Sequence, residues 1–167
     1  MITMDKVYSL STDAVLDMNT IADIIAAGFS RVLVYHGDDV NDVRGYLQVK
    51  KLIAVSSEDC RMVSSLMLRE PEVVSPHKSL LELLNIFQVG HTHIALVTHS
   101  PKLTKQCFKN GVPLEGAARP LGIITIEDII EEIIQEEIYD ESDRLSAYIE
   151  SRAKEVLLKY ARRRKHR

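Results

Sequence analysis

The chain repeats itself, and an internal repeat limits its fold more than any single segment does. "MNTIADIIAAGFSRVLVYH", from Met18, lies over "LLELLNIFQVGHTHIALVT", from Leu80, at an offset of 62 residues. Helix meets helix, Gly28 meets Gly90, and Ser30-Arg31 sits over Thr92-His93 at the start of a β-branched strand. Further on, "VRGYLQVKKLIAV" lies over "PLGIITIEDIIEE" at an offset of 77, with Gly45 over Gly122. The additional 15 residues fall between Ser100 and Arg119, a stretch rich in Pro, Gly and Lys that reads as a surface loop inserted in a hairpin.

Each half predicts strand, helix, strand, strand, helix. In the first half the strands are Val7–Leu10, Val32–Tyr35 and Gly45–Val49, with helices Thr20–Ala27 and Lys50–Val55. In the second they are Glu72–Ser75, His93–Thr98 and Gly122–Thr125, with helices Ser79–Val89 and Ile126–Ile138. Ile21, Ile24 and Ile25, then Leu80, Leu83, Leu84 and Phe87, each draw one apolar stripe at helical spacing. Neither half buries enough surface alone. The expected fold is α+β, with the two halves packed through their sheets as one pseudo-symmetric module.

At 167 residues, 46% apolar and 27% charged, the chain reads as soluble and globular. No stretch approaches the roughly 18 apolar residues of a membrane span, and no charged leader precedes an apolar core. The expectation is the cytosol, either free or as a piece of a larger membrane protein. Cys60 and Cys107 lie far apart outside any C-x-x-C pattern and are expected as free thiols. A net charge of -3 argues against nucleic-acid binding. The charge is uneven: residues 127–143 hold nine Asp and Glu with no Lys or Arg, and the chain ends in "ARRRKHR". Such a basic end is a solvated terminus or a patch for anionic lipid or RNA.

Two places carry candidate chemistry. Thr125 closes a strand and Asp128 falls in the first turn of the next helix. That pair suits an N-cap with a carboxylate at the positive helix end. It equally suits a ligand site, where the carboxylate accepts from ribose hydroxyls and the Thr hydroxyl bonds a ribose or phosphate oxygen. In "GFSRV", Arg31 with Ser30 beside it is either a surface ion-pair partner or a phosphate ligand. His91 and His93 have no Cys or carboxylate at ligand spacing, so a zinc site is not expected. With no G-x-S-x-G, P-loop or Cys/His nucleophile pattern, the chain shows no engine for catalysis and is not expected to be an enzyme.

Taken in order, "STDAVLDMNTIADIIAAGFSRVLVYHGD", "GYLQVKKL", "HTHIALV" and "LGIITIEDIIEEIIQEEIYDESD" resemble a tandem CBS pair, or Bateman module. The likeness is to the cytosolic CBS pair of the cyclin M and CorC magnesium transport proteins. It implies a first motif at residues 4–58, a second at 61–140, and an acidic-to-basic tail, helical or disordered, at 141–167. It implies that Thr125 and Asp128 hold the ribose of an adenine nucleotide and that Arg31, with Ser30, meets its phosphates. Glu127 would face solvent or the adenine edge, with Ile123, Ile124 and the residues near Val7–Leu10 as an apolar slot for the base. The ligand would be ATP, or ADP or AMP, with Mg²⁺ bound only through its phosphates. The implied partners are a second CBS pair in a homodimer and the transmembrane domain of a parent transport protein, with the module on the cytosolic face. The sequence departs from the family where Gln48 and Lys51 replace the Thr and Asp of the second half, which disables the symmetry-related site. It departs again at Leu33, where the family usually carries Pro. Two other readings stand beside this one: a dimerisation or interaction module that has lost nucleotide binding, and the regulatory CBS pair of a metabolic enzyme.

Overall fold

The computed structural model describes residues 1–90 and 92–134. Two compact units divide the chain, Met1–Ile129 and Ile130–Arg167. His91, the end of the expected last helix, most of the acidic run and the tail 141–167 lie outside the described residues.

Within the first unit the strands are β1 (Ile2–Thr3), β2 (Ser9–Ser11), β3 (Val15–Leu16), β4 (Arg31–Tyr35), β5 (Val43–Gln48), β6 (Arg61–Met62), β7 (Glu72–Val74), β8 (Ile94–Thr98) and β9 (Pro120–Thr125). The helices are α1 (Met18–Ala26), α2 (Leu80–Gly90) and α3 (Pro101–Asn110), and α4 (Ile126–Ile134) begins at the unit's end. Each half is built the same way. β2 runs parallel to β4 across α1, and β4 turns back antiparallel into β5. β7, α2, β8 and β9 repeat the plan, down to a register irregularity at Val34/Tyr35 in one hairpin and Val97/Thr98 in the other. A short β3–β6 pair ties Arg61–Met62 to the first half.

The sheets share a central core. Leu33 and Tyr46 of one hairpin meet the cluster formed by Leu96 and Ile123 of the other, with Met4, Leu114 and Ala118. The outer faces pack under helices: Val32, Val34 and Leu47 with Ile24 of α1, and Ala95, Val97 and Ile124 with Leu83 and Phe87 of α2. Burying a side chain as large as Ile24 or Phe87 favours the fold by about 1.5–3 kcal/mol. The central layer explains why two small motifs fold as one body.

These faces correct the repeat. Gly45 and Gly122 occupy equivalent places, paired with Val34 and Val97, so the inner strands match at an offset of 63 rather than 62. Leu33 therefore corresponds to Leu96, both in the central core, and Ile24 corresponds to Phe87. Gly28 and Gly90 misled the comparison, because Gly28 follows its helix at φ +75° whereas Gly90 is the last residue of α2. A slip of one residue reverses every side chain of a strand, so the correction decides which residues face the core.

A crossed pairing of chain segments locks the halves together. β1, which precedes β2, pairs with β9 of the second half, and Arg69, which precedes β7, bridges Tyr46 of the first. Both conserve space for backbone at a glycine. A Cβ on Gly122 would collide with the Ile2 carbonyl, and one on Gly45 would come within 2.8 Å of the Arg69 oxygen.

Three local expectations change. The segment Ser100 to Arg119 is not a bare loop: it contains α3, with Pro101 in its first turn, Thr104 and Cys107 buried, and Gly111 closing it at φ +64°. The expected helix over Lys50–Val55 is a 3-10 helix, Val49–Ala54. Gln48 offers it no side-chain cap, whereas Thr125 and Asp128 cap α4 at the equivalent place. Ile25 leaves the buried stripe of α1, at 61% exposure, while Ile24 is fully buried. Both cysteines are free, Cys107 buried and Cys60 exposed.

Candidate functional site

The hairpin register brings the first group of polar residues together. Arg31 opens β4 opposite Gln48, which closes β5, and the Val49 amide donates to the Ser30 carbonyl at 3.1 Å. At this mouth lies a cleft of about 510 Å³. Ser30, Arg31, Gln48 and Lys50 line it from the first half, and His93 and Glu127 from the second. Ile25 and Phe29 form an apolar rim, with the Phe29 ring stacked on Tyr8 at a centroid distance of 5.8 Å.

Arg31 is partly buried, and its Nε is shielded from solvent without a hydrogen-bond partner. Among the described residues its guanidinium makes no ion pair. Arg44, whose Nε is likewise unbonded, does hold Asp42 at 2.7 Å and the Gly111 carbonyl at 3.0 Å. A desolvated donor left unsatisfied costs about 1–3 kcal/mol, so a cation in this state suits an anion arriving from outside. The surface ion-pair reading of Arg31 finds no partner among the described residues.

The second group forms at the join of β9 and α4. Asp128 Oδ2 accepts from the Thr125 amide at 2.8 Å and from Thr125 Oγ1 at 3.1 Å, and the Asp128 amide donates to Thr125 Oγ1 at 3.2 Å. The pair is thus a reciprocal cap of the kind expected from sequence. Both bonds fall on one carboxylate oxygen, which leaves Oδ1 without a partner among the described residues. Capping and ligand binding do not compete for the same atom. Glu127, between them, is exposed and lines the cleft, whereas Thr125 and Asp128 are not among its lining residues.

Ile123 and Ile124 do not line the cleft. Successive residues of a strand point to opposite faces, and these two are buried in separate cores, at 7% and 8% exposure. Leu33 likewise points into the central core. At the pseudo-equivalent place, Lys51 stands for Asp128, and the corrected register puts buried Ile94 where Arg31 would be. That second mouth lacks the carboxylate of Asp128 and the guanidinium of Arg31. Sequence reasoning overlooked Lys50, His93 and Phe29 as lining residues. Lys50 and Phe29 flank the paired Arg31 and Gln48, so the hairpin pairing held the signal for them; nothing local marks His93.

No protein-family model matches the chain. It is 36% identical over 143 residues to Protein MAM3 of Saccharomyces cerevisiae, covering 86% of this chain and 18% of that protein. It is 30% identical over 149 residues to Metal transporter cnnm-1 of Caenorhabditis elegans, covering 87% of this chain and 18% of that one. Among solved structures it resembles the CBS domain of a bacterial CNNM/CorC family Mg²⁺ transporter in complex with ATP. The TM-score is 0.62 at 24% identity, covering 81% of this chain and 84% of the other. The chain is a CBS module of the CNNM/CorC family. The module spans less than a fifth of the length of these two curated relatives. None of its described helices is long and apolar enough to cross a membrane.

Proposed function

We propose that this CBS module is the regulatory part of a metal-transport protein and binds an adenine nucleotide in the cleft at Arg31. The carrying observation is the partly buried Arg31 guanidinium, which has no ion-pair partner among the described residues. Lys50 and Ser30 add a second cation and a hydroxyl on the same lining. Asp128 Oδ1 supplies the acceptor that ribose hydroxyls require, beside a cap that remains intact. The resemblance to an ATP-bound CBS domain supports the fold for this role.

On this reading one nucleotide binds per chain, since the first half has Gln48 and Lys51 at the pseudo-equivalent turn. Phe29 and Ile25 replace Ile123 and Ile124 as the apolar surface available to the base. Mg²⁺ enters with the phosphates, because Glu127 on the cleft wall repels an unscreened polyphosphate. The module works without catalysis, on the cytosolic side of its parent protein, paired with a second copy, and passes its state to a transmembrane domain. Residues 4–58 and 61–140 remain the proposed limits of the two motifs.

Thermal melting with Mg-ATP tests the reading. Ligand at roughly 100 times its dissociation constant adds about 2.7 kcal/mol to stability. A melting curve that saturating Mg-ATP, ADP and AMP all leave unmoved would overturn nucleotide binding and favour an interaction module.

A further inference from the structure

One residue of the cleft has a role that neither the repeat nor the family likeness assigns. His93 is exposed and lines the cleft beside the Arg31 group. Its backbone is tied to the other half of the site, because the Ile126 amide, at the start of α4, donates to the His93 carbonyl at 3.2 Å. The next residue, Ile94, pairs with Thr125. His93 therefore lines the cleft from the strand that pairs with Thr125, between the cationic wall and the start of α4.

The charges of the lining give this position its consequence. Arg31 comes from β4, Lys50 follows β5, and Glu127 comes from the first turn of α4. These are the charged groups that share the cleft with His93. Two cations and one anion leave a single net positive charge against a polyphosphate. A protonated imidazole doubles it, and imidazole is the side chain whose charge changes around neutral pH.

We infer that His93 is a further phosphate-contacting residue of this cleft, so that a polyphosphate nucleotide binds together with a proton taken up at the His93 ring. This rests on the proposed nucleotide site. The sign follows from linkage: bound phosphate raises the imidazole's proton affinity, so binding strengthens as pH falls. The effect grows with the number of phosphates, which makes His93 a determinant of ATP over AMP as well as of pH.

Calorimetry of the intact chain with Mg-ATP and with AMP, from about pH 6 to pH 8, reads both claims. His93→Gln keeps a neutral hydrogen-bonding side chain, and because ATP titrates identically in both experiments, the comparison isolates the residue. The wild type is expected to tighten for Mg-ATP by about threefold to tenfold more than His93→Gln as pH falls. AMP should show a smaller difference. Parallel pH profiles for the two proteins would overturn the inference while leaving the nucleotide site standing. Absence of binding at every pH in the wild type would overturn both. Should His93→Gln fail to fold, His93→Asn takes its place, with proton uptake on Mg-ATP binding read at about pH 7 in buffers of different ionisation heat. Uptake greater in the wild type than in the variant supports the role, and equal uptake in the two proteins removes it.

Discussion

Replacing Arg31 by Met separates a phosphate ligand from a structural cation. Met keeps much of the apolar stem and removes the guanidinium. In the free protein that group makes no ion pair among the described residues, and its Nε is buried and unbonded. No ion pair among the described residues is lost, and a donor whose desolvation costs about 1–3 kcal/mol disappears. The free protein should therefore melt at the same temperature or be stabilised by up to about 1 kcal/mol. Affinity should move the other way. A charge-assisted bond to phosphate contributes about 1.5–3 kcal/mol, so Mg-ATP should bind roughly 10- to 150-fold more weakly. AMP should lose less, having fewer charges to leave unpaired. Urea unfolding of the free proteins, with calorimetry for Mg-ATP and AMP, measures both quantities. A surface ion pair would give the inverse pattern, with stability lower by about 0.2–1 kcal/mol and affinity unchanged. That result, or equal losses for ATP and AMP, would refute the reasoning from the unpaired guanidinium.

Asp128→Ala should lower both quantities, by about 1 kcal/mol in stability for the lost Thr125 cap and by roughly tenfold or more in nucleotide affinity; Lys51→Ala, at the pseudo-equivalent turn, should leave affinity unmoved. Gly122→Ala should destabilise the module by about 1–3 kcal/mol, read as a lower urea midpoint, because the new Cβ meets the Ile2 backbone rather than a side chain that can rotate away. The caps of α1 and α2 predict an acid limb. The Thr20 amide and then its hydroxyl hold the Asp17 carboxyl below its ordinary value, and the Ser79 amide, the Ser79 hydroxyl and Lys78 do the same for Glu82. Because the folded values are lowered, this stability is complete above the unfolded carboxylate range near pH 4 and is lost as pH falls through the lowered values. Asp17→Asn should flatten that part of a pH-stability profile measured by urea unfolding.

The repeat, the order of elements and the Thr125–Asp128 cap were legible because they are local. Apolar spacing at Leu83 and Phe87 marks a helix face, a β-branched run marks a strand, and a capping pair needs only residues three apart. α3 was missed: Pro101 and Gly111 mark its two ends, but the loop-like composition of the segment concealed it. Other features depended on partners distant in sequence. The repeat offset turned on which glycine ends a helix, and only the pairing of Val34 with Gly45 and Val97 with Gly122 fixed it. Ile123 and Ile124 looked equally available to a base, yet strand alternation buries them in separate cores. The sequence by itself determined the two-fold plan and marked Arg31, Thr125 and Asp128 as candidate polar groups. Tertiary structure decided that Arg31 has no ion-pair partner among the described residues, and that Lys50, His93 and Glu127 share its cleft. The physical reason is that a cap or a stripe is satisfied within a few residues of chain, whereas a charge is paired or unpaired according to everything the fold brings near it.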